Sequence, residues 1–178
     1  MNIKYTNYLK PGDIGLIYNK GSLLHKIICF FTGRKKKKAA HTWIYLHENR
    51  MLEATGEGIK IKKLKKYKER KFILYIGRYI DKFGKVGLSK DSQLKISEIA
   101  QKHDGRKYSF FQLIIMLFQQ IFGIKKIKDF EKGKEVCSEL VAKIYDNIGL
   151  DLFKNKEPHE VTPQDFLDCK QLKIKIFL

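Results

Sequence analysis

The sequence predicts a single α+β domain in which a small antiparallel sheet or half-barrel packs against helices. Short apolar runs rich in β-branched and aromatic residues, separated by turn residues, dominate the first 80 positions. Segments with helical periodicity then follow between residues 89 and 167, and one strand-like run ends the chain. Strands followed by helices, without strict alternation of the two, are typical of the α+β class.

The strands are expected where apolar runs lie between Gly, Pro and Asn turn residues. A turn at Pro11-Gly12-Asp13 precedes the first of them, and residues 47–50 predict a hairpin turn between two others. The predicted strands cover residues 14–18, 39–46, 51–55, 59–61, 72–79 and 172–178.

The helices are expected where apolar residues recur every three or four positions. They cover residues 21–31, 89–103 and 110–122, a segment that begins near Cys137, and a last helix with Thr162 as N-cap and Pro163 at its first position. The strongly apolar segment 110–122 is shorter than the ~20 residues that span a bilayer. A core helix is favoured for it, although the lysines that follow leave contact with a lipid surface open.

Composition sets the class of protein. The chain has 178 residues, of which 43% are hydrophobic and 31% charged, so residues 1–178 are expected to form one folded domain. Three widely spaced cysteines predict neither a disulfide framework nor a metal site, and no cofactor is expected. The amino terminus lacks the apolar stretch of a secretory signal, which favours a reducing, cytoplasmic setting.

The chain is strongly basic. Its 37 Lys and Arg against 19 Asp and Glu give a formal net charge of +18. This charge attracts phosphate-bearing surfaces, either nucleic acid or anionic lipid. A solvated surface without a dedicated partner is the simpler interpretation of the same charge.

Cys137 is the leading candidate for a nucleophile. It lies at the start of a predicted amphipathic helix whose apolar residues recur from Leu140 to Leu150. The unpaired N–H groups and the positive dipole end at a helix start stabilise a thiolate over a thiol. A thiolate nucleophile also needs a base that takes up and returns its proton. The alternative role for Cys137 is that of a small buried core residue.

His41 is the best placed of the five histidines to be that base, because it opens a predicted strand and is held by a rigid element. If the chain turns back at residues 47–50, Glu53 lies near the His41 end of the neighbouring strand. A carboxylate there orients the imidazole and stabilises its charged form. Taken singly, His41 is more simply a structural histidine and Glu53 a solvated charge.

Six short runs occur in an order similar to that of a known family. They are Pro11-Gly12-Asp13-Ile14, Ala40–Tyr45, Leu52-Glu53-Ala54, Tyr108, Val136–Val141 and Thr162–Phe166. Together they resemble the circularly permuted NlpC-type papain-like cysteine hydrolases, and among these the YiiX/YebB-like group, in which the histidine strand precedes the cysteine helix. The resemblance extends from Pro11 to about Phe166. It implies a papain-like fold with Cys137 as nucleophile, His41 as general base and Glu53 as the orienting residue.

The same resemblance assigns residues to the substrate side of the site. Tyr108 falls where the family has an aromatic residue near the catalytic cysteine, and Ser138 and Trp43 are expected in the substrate and oxyanion region. The backbone N–H of Cys137 would supply part of the oxyanion hole. Trp43 departs from the family, which usually has a small residue at this position. Its ring is expected either to narrow the cleft or to face the other side.

The resulting hypothesis is acyl transfer through a thioester. A hydrolase or acyltransferase would act on an amide or ester bond of a peptide, amidated or lipid-like substrate, with no metal. The charge and the apolar segment favour a lipid-like or anionic substrate and leave peripheral contact with an anionic membrane open. The alternative is a non-catalytic basic module that binds nucleic acid or anionic lipid, although lysines and aromatics are not interleaved as RNA binding requires. A third interpretation keeps the fold and binds a peptide or lipid without turnover.

Overall fold

The computed structural model describes residues 5–31, 37–64, 72–107 and 136–177. The strands are β1 (Ile14–Asn19), β2 (His41–Tyr45), β3 (Arg50–Thr55), β4 (Gly58–Lys63), β5 (Phe72–Tyr79) and β6 (Leu172–Phe177). The helices of the described residues are α1 (Leu23–Phe31), α2 (Lys90–His103), α3 (Cys137–Asn147) and α4 (Pro163–Asp168). The predicted α+β class is confirmed. The predicted helix at 110–122 lies outside the described residues.

The six strands form one antiparallel sheet in the order β4-β3-β2-β1-β5-β6. In this sheet His41 lies opposite Ile17 of β1, and Trp43 lies opposite Gly15 on one side and Glu53 on the other. The start of β2 therefore lies at the same end of the sheet as the end of β1, from which the chain continues into α1.

The hairpin between β2 and β3 sets the register that brings Glu53 towards His41. Its two central residues, Glu48 and Asn49, have φ values of 50° and 58°, and the N–H of Arg50 donates to the carbonyl of His47 over 2.8 Å. Two consecutive residues with positive φ give the turn whose twist matches that of the paired strands. The predicted turn at 47–50 is thus confirmed.

The sheet separates two hydrophobic cores because side chains alternate along its strands. The main core joins one face to the buried side of α3 and to parts of α2 and α4, and it includes Ile44, Leu52 and Leu140. The second core, on the other face, includes Ile17, Trp43 and Met51. The indole of Trp43 covers Gly15 so closely that a Cβ there would lie 2.0 Å from the ring.

A buried ion pair ties the turn at Pro11-Gly12-Asp13 to the sheet. The Arg78 guanidinium of β5 donates to both carboxylate oxygens of Asp13, over 2.8 Å to Oδ1 and 2.6 Å to Oδ2. The Tyr145 hydroxyl of α3 donates to the carbonyl of Gly12 over 2.7 Å. Gly12 itself has a φ of 89°, which favours glycine. This turn therefore fixes α3 relative to the sheet.

Two smaller predictions concern the ends of helices. Thr162 is the N-cap of α4, since its hydroxyl accepts from the N–H of Asp165 over 3.3 Å, and Pro163 is the first residue, as predicted.

Within the described ranges, no helix combines the length and the apolar character needed to cross a membrane.

Candidate active site

Cys137 is the first residue of α3, and the local sequence leaves this helix start open. The N-cap is Val136, whose side chain has no hydrogen-bond acceptor, and the Glu139 carboxylate accepts from the N–H of Val136 over 3.4 Å. No side chain of the N-cap therefore competes for the N–H groups of the first turn. The N–H groups and the dipole at a helix start stabilise a thiolate, and the side chain of Cys137 at this helix start is buried.

His41 lies between this sulfur and the carboxylate of Glu53. The Nε2–H of His41 donates to Oε1 of Glu53 over 2.8 Å, and the two side chains are 18% and 1% exposed. A second hydrogen bond joins the imidazole to the Cys137 sulfur. Because Nε2 bonds Glu53, we infer that Nδ1 is the nitrogen that faces the sulfur. The structure thus brings together the three side chains predicted as catalytic.

The electrostatics of the pair favour separated charges. Burial lowers the pKa of His41, but the negative charge and hydrogen bond of Cys137, followed by those of Glu53, outweigh it and raise the pKa to about 10. Burial raises the pKa of Cys137, but the charge and hydrogen bond of His41, with help from Thr42, hold it below its ordinary value. These opposite shifts stabilise a thiolate beside an imidazolium.

Thr42 is a residue of this site that sequence reasoning missed. Its backbone hydrogen-bonds Cys137, and both the backbone and the hydroxyl lower the pKa of the thiol. The side chain is buried, and within the described residues its Oγ1 has no hydrogen-bond partner of good geometry. A threonine in a strand is too common to attract attention. The available signal was its position next to His41.

The other two cysteines provide a contrast inside the same chain. The Cys29 thiol lies 3.6 Å from the carbonyl oxygen of Ala39, and burial raises its pKa to about 11. The Cys169 thiol lies 3.7 Å from the carbonyl oxygen of Leu152, and burial raises its pKa as well. Both are protonated donors at neutral pH, so only the setting of Cys137, among the three, favours a thiolate.

Of the three residues predicted on the substrate side, the two that the structure describes lie in different parts of the fold. Ser138 follows Cys137 in the first turn of α3, and its side chain is buried. Trp43 is fully buried in the second core, whereas Cys137 belongs to the main core. The ring therefore lies on the opposite face of the sheet from Cys137, where it covers Gly15 and is fully buried. Tyr108 lies outside the described residues.

The described residues contain no group of three or more His, Cys, Asp or Glu side chains arranged to hold a metal ion. The imidazole of His41 instead pairs with Glu53 and with Cys137. What the arrangement can do chemically is to hold a nucleophilic sulfur, pass a proton to or from it, and keep the imidazole in one orientation.

Comparison with known proteins supports the fold. No family model matches the chain, and no curated protein matches its sequence. Among solved structures, the crystal structure of metalloprotein yiiX from Escherichia coli O157:H7, of DUF1105, matches with a TM-score of 0.59 at 18% identity, over 93% of this chain and 96% of the other. The word metalloprotein describes that protein. Assignment to the permuted NlpC-type hydrolases stays a prediction, and the chain has a YiiX-like α+β fold over nearly its whole length.

Proposed function

We propose that this protein is a cysteine-dependent hydrolase or acyltransferase that acts on an amide or ester bond. The observation that carries the proposal is the series of hydrogen bonds from Glu53 through His41 to Cys137, with the sulfur at a helix start. A nucleophile, a base and a group that orients the base are the parts that acyl transfer by a thiolate needs.

In the first half of the reaction, the Cys137 thiolate attacks the carbonyl carbon of the substrate. A C–S bond forms, and the carbonyl electron pair moves to oxygen, which backbone N–H groups at the start of α3 would stabilise. When this oxyanion collapses, the C–N or C–O bond to the leaving group breaks. The leaving group takes the proton held on Nδ1 of His41. The product of this half is a thioester on Cys137.

In the second half, His41 acts as a base. Its neutral Nδ1 takes a proton from water or from another acceptor, whose oxygen or nitrogen attacks the thioester carbonyl. Collapse of the second tetrahedral intermediate breaks the C–S bond and restores the thiolate beside the imidazolium. Throughout both halves, Glu53 accepts the hydrogen bond of Nε2–H, so the proton is exchanged at Nδ1 alone.

The energetics of the site argue against a purely structural role. A carboxylate, an imidazole and a thiol that are all largely withdrawn from water cost more to bury than apolar residues of similar size. Opposite pKa shifts in one hydrogen-bonded pair are also a property of reactive sites. Cys29 and Cys169 show that burial alone in this fold gives an ordinary, protonated thiol.

The test combines a substrate panel with an acyl-donating probe. Amide, peptide and lipid-ester substrates are incubated with the wild type, and mass spectrometry locates the acyl group. We expect a thioester on Cys137, lost in Cys137→Ala, whereas Cys169→Ala serves as the matched control and keeps it. His41→Ala should slow acylation by at least about 100-fold. Undiminished acylation or turnover in Cys137→Ala would contradict the proposal.

A further inference from the structure

Helix α1 presents an apolar face to solvent. The docking face, as we call it, consists of Leu23, Leu24, Ile27 and Phe30, and all four side chains are exposed, from 37% for Leu24 to 72% for Leu23. These positions share one side of a helix, since they are three or four residues apart. A helix on a protein surface normally turns polar residues outward. An exposed face of this kind indicates a binding surface.

The opposite side of α1 is already packed on the body of the protein. Ile28 and Cys29 are buried in a cluster with Ala40 and Val136. His25 accepts a hydrogen bond at Nδ1 from the N–H of Asn19 over 2.9 Å. The helix is therefore held in place from behind, and the docking face is its outward side. Ala40 and Val136 are the residues directly before His41 and Cys137, so the packed side of α1 lies next to the candidate active site.

The stretch of sequence that contains α1 carries only positive charge. Between Asp13 and Glu48 the sequence contains no acidic residue, but it contains seven basic ones. Of those that the structure describes, Lys20, Lys26 and Lys37 are exposed. An apolar face in a stretch of sequence that carries lysines and no carboxylate is complementary to an anionic lipid surface, which offers acyl chains and phosphates together. A protein partner would more often meet a rim of both signs.

We propose that α1 docks the protein on an anionic lipid bilayer. The docking face enters the boundary between headgroups and acyl chains, with the helix lying in the plane of the membrane. A nine-residue helix is only about 14 Å long, so it lies on the bilayer and does not cross it. The lysines contact lipid phosphates. This docking is independent of the proposed function. One consequence does depend on that function: an acyl lipid of the same bilayer would be the nearest substrate for Cys137.

The test is co-sedimentation of the full chain, carrying Cys137→Ala, with phosphatidylcholine vesicles that contain or lack phosphatidylserine. We expect binding only to the anionic vesicles. Ile27→Glu and Phe30→Glu should each weaken it by at least about tenfold, because a carboxylate replaces an inserted apolar side chain. Leu94→Glu is the matched control, since Leu94 is 64% exposed on α2 and should leave binding unchanged. Lys26→Glu should weaken binding by about fivefold or more.

Three results would overturn the proposal. The first is equal binding to neutral and anionic vesicles, or none to either. The second is equal loss in Leu94→Glu and Phe30→Glu. The third is a fall in melting temperature of several degrees in Ile27→Glu and Phe30→Glu but not in Leu94→Glu, which would mean that another part of the chain covers the face. Since Cys137→Ala is present throughout, failure here is separate from failure of the proposed acyl transfer.

Discussion

At the scale of single residues, the three cysteines of this chain differ in what surrounds their sulfur atoms. All three lose water, which disfavours a thiolate, yet only Cys137 has a histidine, a threonine and a helix start beside its sulfur. Thiolate, not thiol, reacts with alkylating agents. We predict that iodoacetamide at pH 7 modifies Cys137 at least about 100-fold faster than Cys29 or Cys169. Peptide mapping by mass spectrometry measures the three rates in one sample. Comparable rates at the three positions would contradict the assignment.

Thr42 is expected to act on the same sulfur as a positioning residue. Thr42→Val keeps the shape of the side chain and the backbone N–H but removes the hydroxyl that helps to lower the pKa of the Cys137 thiol. A polar contact to a thiolate contributes about 1 kcal/mol, so the pKa of Cys137 should rise by roughly half a unit to one unit. The pH dependence of alkylation measures this shift. Thr42→Ser restores the hydroxyl and should restore the profile, whereas a merely structural role for Thr42 would leave the profile of Thr42→Val unmoved.

We predict that Glu53 sets the alkaline limb of the pH profile of the proposed reaction. The reactive form has a deprotonated Cys137 and a protonated His41, so activity should rise as Cys137 loses its proton, below the ordinary thiol pKa, and fall as His41 loses its own near pH 10. Glu53→Gln removes a negative charge that raises the pKa of His41, which moves the alkaline limb to lower pH. It should also lower kcat at least about 100-fold.

The measurement is kcat/KM against pH for the wild type and two variants. Glu57→Gln is the matched control, because Glu57 is an exposed glutamate whose carboxylate pairs with Lys62. It should leave both limbs in place. An alkaline limb at the same pH in Glu53→Gln and wild type would show that Glu53 does not support the charge of His41.

At the scale of secondary-structure elements, the sequence predicted the structure best where a segment follows one clear pattern, such as helical spacing or a run of turn residues. The helical spacing after Cys137 predicted that the residue begins a helix, and the turn residues at 47–50 predicted the hairpin that brings Glu53 towards His41. Strand β2 was harder, since it is apolar on both faces. Its alternation could not reveal that Trp43 covers Gly15, because that contact depends on which strand pairs with β2 and in which register.

The ion pair of Asp13 and Arg78 helps to hold α3, the helix that carries Cys137, against the sheet. It holds the turn whose Gly12 carbonyl accepts from Tyr145 of α3. Burial raises the pKa of Asp13 even with Arg78 present. Arg78→Met leaves this carboxylate buried without its partner and should cost about 3–5 kcal/mol of unfolding free energy at pH 7.

Urea unfolding measures this loss. The loss should shrink as the pH falls, because a protonated Asp13 no longer needs a cation. Arg50→Met is the matched control: Arg50 pairs with the exposed Glu48, and the loss should stay within about 1 kcal/mol. Equal losses in the two variants would mean that the buried pair does not anchor the fold.

At the scale of the whole molecule, the site exists only while distant parts of the chain stay together. His41 and Glu53 come from a hairpin, Cys137 comes from a helix almost a hundred residues later, and the connection between them passes through the sheet and α2. No local segment contains the cysteine, the base and the carboxylate. The acidity of Cys137 should therefore be a property of the folded domain, unlike that of a cysteine activated by its neighbours in sequence.

This argument predicts that the reactivity of Cys137 disappears with global unfolding. In rising urea, its alkylation rate at pH 7 should fall to that of Cys169, and the midpoint should coincide with the loss of circular dichroism, because the ion pair with His41 and the helix dipole vanish in one cooperative step. Arg78→Met should move both midpoints together to lower urea. If Cys137 stayed faster than Cys169 in fully unfolded protein, or lost its advantage well before the sheet unfolded, its activation would arise from local sequence or from a separately melting α3, and not from the whole fold.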